Sequence, residues 1–127
     1  MFRAASAAEC VHAEGHLKAM DGVATTADNL KAAIEGETYE YTTMYPPMLA
    51  EAQADGHRAK IMFGFAMKAE AVHAELYKLA LQALEQGGDL TETGFYVCPI
   101  CGHIEFGAPP EKCPICGARQ EKFSAVA

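Results

Sequence analysis

Apolar residues recur at helical spacing through the first two-thirds of the chain and lose that rhythm near residue 88. The strongest stretch surrounds Ala66–Tyr77. There Phe63, Phe65, Ala69, Val72, Leu76 and Leu81 predict a largely buried helix across 57–86, ended by the Gly87–Gly88 pair. Before it, Leu30, Ile34, Glu37, Tyr41, Met44 and Met48 follow spacings of four and three, with Thr26 and Asp28 as cap candidates. Pro46 and Pro47 must kink or break that helix just after Tyr45. Residues 1–20 predict an alanine-rich helix, with a break at Gly15 or an end near Gly22.

Charged residues interrupt the apolar stripes at particular places. Ala66, Glu70, His73 and Tyr77 lie at i, i+4, i+7 and i+11, so a carboxylate and an imidazole point the same way, inward. Burying such a pair unpartnered costs several kcal/mol, and a metal ion satisfies both groups. Glu37 falls on its own helix's apolar stripe, with Glu40 three residues on.

The pair recurs. Shifting the sequence by 61 residues sets MFRAASAAECVHAE over MFGFAMKAEAVHAE, with nine identities in fourteen positions. Glu9 and His12 thereby match Glu70 and His73, which makes the two stretches an internal repeat.

From Asp89 glycine, proline, cysteine and aromatics replace the helical alanines, which divides the chain into a helical domain, 1–88, and a small domain, 89–127. The second carries Cys98-Pro-Ile-Cys101-Gly102 and Cys113-Pro-Ile-Cys116-Gly117. Two such turns aim four thiolates at one ion, as a structural zinc or as a one-electron iron. A segment this short needs that metal to stay folded. Cys10 is left over and reads as a small buried apolar residue.

The chain of 127 residues has a formal net charge of −7, which argues against nucleic acid and anionic membranes as partners. No apolar run approaches a membrane span, and Glu9, His12 and Glu14 interrupt any signal-peptide pattern, so a cytoplasmic location is expected. His16, His57 and His103 have no partner motif and read as surface residues. Met44, Met48, Met62 and Met67 read as core packing rather than ligands.

Glu9-x-x-His12, Glu37-x-x-Glu40, Glu70-x-x-His73 and the two cysteine knuckles, in that order, resemble rubrerythrin, a family with a ferritin-like helical bundle and a C-terminal rubredoxin-like domain. The resemblance implies a mainly α fold, with a di-iron centre held by Glu9, His12, Glu37, Glu40, Glu70 and His73. It also implies a mononuclear iron on Cys98, Cys101, Cys113 and Cys116, where zinc is the other candidate. Tyr41 and Tyr77 are placed to support the ligand glutamates by hydrogen bonds. The implied reaction is reduction of hydrogen peroxide to water in oxidative-stress protection, one iron moving between Glu40 and His12 as the pair changes oxidation state. Electrons would pass through the four-cysteine iron from a rubredoxin or its reductase. In the family this centre sits near another subunit's di-iron site, which implies a homo-oligomer.

One departure stands out. The repeat places a glutamate helix before the first Glu-x-x-His, some sixty residues ahead of Glu37 and so before Met1. Three bundle helices are therefore expected in this sequence. The fourth either lies outside it, or comes from another subunit by helix exchange, or is replaced by open coordination. Two other functions remain from the sequence: a ferroxidase or iron-handling protein, and a non-catalytic helical module with a structural zinc ribbon.

Overall fold

The computed structural model describes residues 1–91 and 94–126 of the chain. Helix α1 spans Phe2–Ala19, α2 Thr26–Tyr39, α3 Tyr45–Ala54 and α4 Ala59–Glu85. After them come the short strands β1 (Phe95–Val97), β2 (Ile104–Phe106) and β3 (Ser124–Val126).

Local chemistry explains most boundaries. Gly15 does not interrupt α1, which ends instead where Asp21 enters the left-handed region (φ 52°) and Gly22 N–H donates to Leu17 O across 2.9 Å. The cap of α2 is Thr25, one residue ahead of the expected Thr26; its hydroxyl accepts from Asp28 N–H at 3.2 Å. The prolines act upstream of themselves. With no N–H at Pro46 or Pro47, the helix relaxes into a π-helical turn over Glu40–Met44 and resumes as α3, whose first turn tolerates proline. The Thr42 hydroxyl donates to Thr38 O within that turn. Gly87, at φ 77°, closes the end of α4 as expected.

α2, the π turn, α3 and α4 pack together through small side chains: Ala52, Ala66, Ala69 and Ala74 are the buried residues. α1 stands apart. None of its residues is buried, and among the described residues it packs against no other element. Cys10 is accordingly exposed, which corrects the expectation of a buried thiol. Met48 and Met62 are also exposed, at 41% and 49%, contrary to the expected core role.

The three strands form one antiparallel sheet in the order β2-β1-β3, with Phe95 opposite Phe106. Phe65 of α4 packs on the buried Cys98, Cys101 and Cys113, which joins the sheet region to the helices. Among the described residues no helix is long and apolar enough to cross a membrane.

Candidate metal centres

The two cysteine knuckles repeat one hydrogen-bond scheme. Gly102 N–H donates to Cys98 O and Gly117 N–H to Cys113 O; Cys98 N–H donates to His103 O and Cys113 N–H to Ala118 O. Gly102 and Gly117 take φ 81° and 76°, which is why glycine follows the second cysteine of each pair. The thiols meet with Sγ···Sγ distances of 3.6 Å (Cys98–Cys116) and 3.5 Å (Cys101–Cys113). Metal–sulfur bonds near 2.3 Å in a tetrahedron require edges of about 3.8 Å, so the four sulfurs fit one ion with little movement.

Burial pushes the Cys101 and Cys116 thiols up in pKa. Burial acts on Cys98 in the same sense, but N–H donors from Ile100 and Cys101 bring it below the usual value. Such a pocket favours thiolates once a cation is present. His103 beside it is buried, not on the surface as its lack of a motif suggested. Its Nε2 lies 3.0 Å from Glu105 and its ring meets Phe123 edge-on.

The second centre is on the helices. Glu37 from α2 and Glu70 and His73 from α4 bring their ligand atoms within 4.8 Å of one another. His73 Nδ1 lies 2.9 Å from Glu70 Oε2 and 3.7 Å from Glu37 Oε1, with the three side chains 15–20% exposed. Burial raises the Glu37 pKa, His73 opposes that shift, and the Glu70 and Glu40 charges add to it. Two carboxylates and an imidazole at this spacing suit one divalent cation from the iron, manganese or zinc group.

The far side of the same imidazole is equally committed. His73 Nε2 is 3.0 Å from Gly102 O, a carbonyl that only accepts, so Nε2 carries a hydrogen. That leaves Nδ1, on the carboxylate side, as the ring atom for a metal.

Other expected site residues fall elsewhere. Glu9 and His12 pair with each other on α1 at 3.4 Å, 76% and 62% exposed, away from the cluster. Glu40 begins the π turn, and its charge reaches Glu37 without its carboxylate joining the three. Tyr77 lines an apolar cavity of about 530 Å³ with His73, Leu76 and Phe95. Tyr41 is half-buried in the π turn. The tyrosine under the influence of the cluster is Tyr45, whose pKa is raised by burial and then by Glu70, Glu40 and Glu37.

Comparison with known proteins agrees with these two centres. The family model described as rubrerythrin matches residues 1–81, and that described as the rubrerythrin rubredoxin-like domain matches 96–124. Rubrerythrin-2 of Clostridium acetobutylicum is 32% identical over 98% of this chain and 76% of its own length. Nigerythrin of Nitratidesulfovibrio vulgaris is 41% identical over 76% of this chain and 47% of its own. A solved structure of nigerythrin in its fully reduced, all-ferrous state superposes with a TM-score of 0.74 at 37% identity, covering 82% of this chain and 50% of that one. The chain thus spans about half the length of most of the relatives it matches.

Proposed function

The chain belongs to the rubrerythrin family, and we propose that it reduces hydrogen peroxide to water with electrons delivered through its four-cysteine iron. The family's cofactors are a di-iron centre on carboxylates and histidines and a mononuclear iron on four cysteines, and the donor sets here match both in kind. When bound, a ferrous pair supplies the two electrons that, with two protons, convert one peroxide into two waters.

The observation that carries the reading is the double engagement of His73. Its Nδ1 faces Glu70 and Glu37 while its Nε2–H donates to Gly102, the residue that follows Cys101. One side chain therefore links the carboxylate cluster to a cysteine knuckle through a single hydrogen bond. The family's arrangement puts the four-cysteine centre beside another subunit's di-iron site; here the link is made within one chain.

The chain's own groups supply acid. Tyr45 keeps its phenolic proton because burial and the nearby glutamates oppose its loss, and Glu37 holds a proton more readily than an exposed glutamate. Tyr45 is the donor for the oxygens that leave as water; Glu37, once it binds the metal, is a carboxylate. Glu9, His12 and Glu40 complete the ligand set in this reading, with Glu40 and His12 exchanging one iron. The electron donor is a small redox protein of the rubredoxin class or its reductase.

The test compares peroxide and dioxygen consumption by iron-loaded protein supplied with reductant. Faster turnover of peroxide supports the reading. Preference for dioxygen favours the ferroxidase, and colourless protein with zinc on the cysteines favours the non-catalytic module.

A further inference from the structure

The two cysteine knuckles are twins in sequence and in hydrogen bonding, yet their surroundings differ. Gly102, after the first knuckle, is tied to His73, and Phe65 of α4 packs on the buried Cys98, Cys101 and Cys113. Cys116 of the second is only partly buried, and Gly117, the counterpart of Gly102, lines an open groove of about 570 Å³. We propose that electrons enter at this groove, which docks a small redox protein carrying an acidic surface around its own one-electron centre. The proposal rests on the electron-delivery reading of the four-cysteine site and assigns to it a face and a partner charge.

Exposure supplies the first argument. Cys98, Cys101 and Cys113 are 0%, 1% and 2% exposed, so Cys116 is the sulfur that a partner can approach. Ile100 lines the same groove at 52% exposure, an apolar contact of the kind found at the centre of a docking patch. The patch need not be large, because electron-transfer complexes bury less than about 1,200 Å².

Charge supplies the second. Segment 111–122 holds three of the chain's ten basic residues, Lys112, Arg119 and Lys122, and two of its seventeen acidic ones, Glu111 and Glu121. Arg119 and Lys122 line the groove. Lys112 stands opposite Arg119 in an antiparallel bridge, which puts the two side chains on one face. Glu121 offsets Arg119 only weakly, at 3.9 Å with both side chains exposed. Residues 1–88, by contrast, hold seven basic and twelve acidic residues. An acidic donor is therefore repelled by the helices and drawn to the groove beside Cys116. A basic donor would be drawn to the helices, away from the cysteines.

The step itself moves one electron from the donor's reduced centre to a ferric ion on the four cysteines. No bond is made or broken and no proton is taken up. The two knuckles then divide the work: electrons enter beside Cys116 and leave beside Cys101, whose neighbour Gly102 accepts from His73.

Reduced flavodoxin, a small acidic one-electron carrier, is the probe, because its flavin colours are distinct from the red of the ferric cysteines. Mixed anaerobically with the iron-loaded chain, it should reduce that centre at a rate that falls as ionic strength rises. Arg119→Glu with Lys122→Glu should slow the step roughly 10- to 100-fold at low salt, and the difference should vanish at high salt. Both side chains are exposed, so the red colour that reports folding should be retained. Lys60→Glu with Lys68→Glu, the same charge change at exposed positions of α4, should slow it far less. A second readout needs no turnover. Zinc-loaded chain titrated with oxidised flavodoxin should show amide shifts at Ile100, Gly117, Arg119 and Lys122 and none along α2. Equal slowing by the two pairs, or none by the first, overturns the proposal. The same shifts appearing as the chain alone is concentrated also overturn it, and assign the face to a second copy. A chain whose cysteines take up zinc and no iron overturns the electron-delivery reading instead.

Discussion

His73 Nε2 stands 3.0 Å from Gly102 O while Nδ1 of the same ring stands 2.9 Å from Glu70 Oε2. The two contacts separate by substitution. In His73→Asn an amide stays near the Nδ1 position and the donor to Gly102 is lost; electron passage between the two centres should slow roughly 10- to 100-fold. In His73→Gln the amide reaches the Nε2 position instead, and iron at the carboxylate cluster should be lost. Stopped-flow reoxidation after mixing with peroxide, with metal analysis, reads both effects.

The sheet depends on its metal. Three strands of three residues enclose a core made chiefly of cysteines. Replacing Cys98 with serine, or stripping the ion with a chelator, should forfeit on the order of 10 kcal/mol of folding free energy and melt residues 94–126. The helices should persist. Amide exchange at Phe95–Val97 rising to unfolded rates, with protection in α4 retained, is the expected result.

Glu37 sets a pH dependence in the metal-free protein. Its folded pKa lies above the usual 4.5, first because of burial. A carboxylate shifted this way is favourable to the fold while protonated, and that contribution is lost as pH rises through the unfolded and then the folded value. Glu37→Gln should therefore make the metal-free chain more stable than its parent at neutral pH. The advantage should shrink as pH falls toward 4.5. Thermal melts of the two proteins across that range measure it; an advantage independent of pH would contradict the assignment.

Tyr45→Phe removes a phenol held protonated next to Glu70, Glu40 and Glu37 while keeping the ring that packs on Phe63. Iron content should be unchanged and peroxide turnover should fall roughly 100-fold, the scale of a lost proton donor. Loss of iron together with turnover would mark Tyr45 as a structural residue instead.

Much of this was legible in the sequence because it depends on local spacing. The four cysteines and their glycines specify both knuckles, and the apolar stripe of α4 places Glu70 and His73 together on one face. Glu37 could be assigned to the same centre because it interrupts a second stripe. Other features depend on how elements meet. The contact between His73 and Gly102 joins residues 29 apart and leaves no periodic trace. His103 is buried because Phe123 and Glu105 close over it, although no motif marks it. The π turn at Glu40 follows from prolines downstream, so two glutamates spaced for one helical face do not converge equally. The exposure of α1 was not readable either: its repeat matches the α4 stretch that is buried, yet none of its residues is buried.

The most direct measurement is an anaerobic titration of fully reduced, iron-loaded protein with hydrogen peroxide, followed through the colour of the ferric four-cysteine centre and the total iron oxidised. With three irons per chain and two electrons per peroxide, oxidation should be complete at about 1.5 equivalents per chain, the four-cysteine iron oxidising in step with the pair. An endpoint near 0.5 equivalents, with iron at the cysteines alone, would contradict the account.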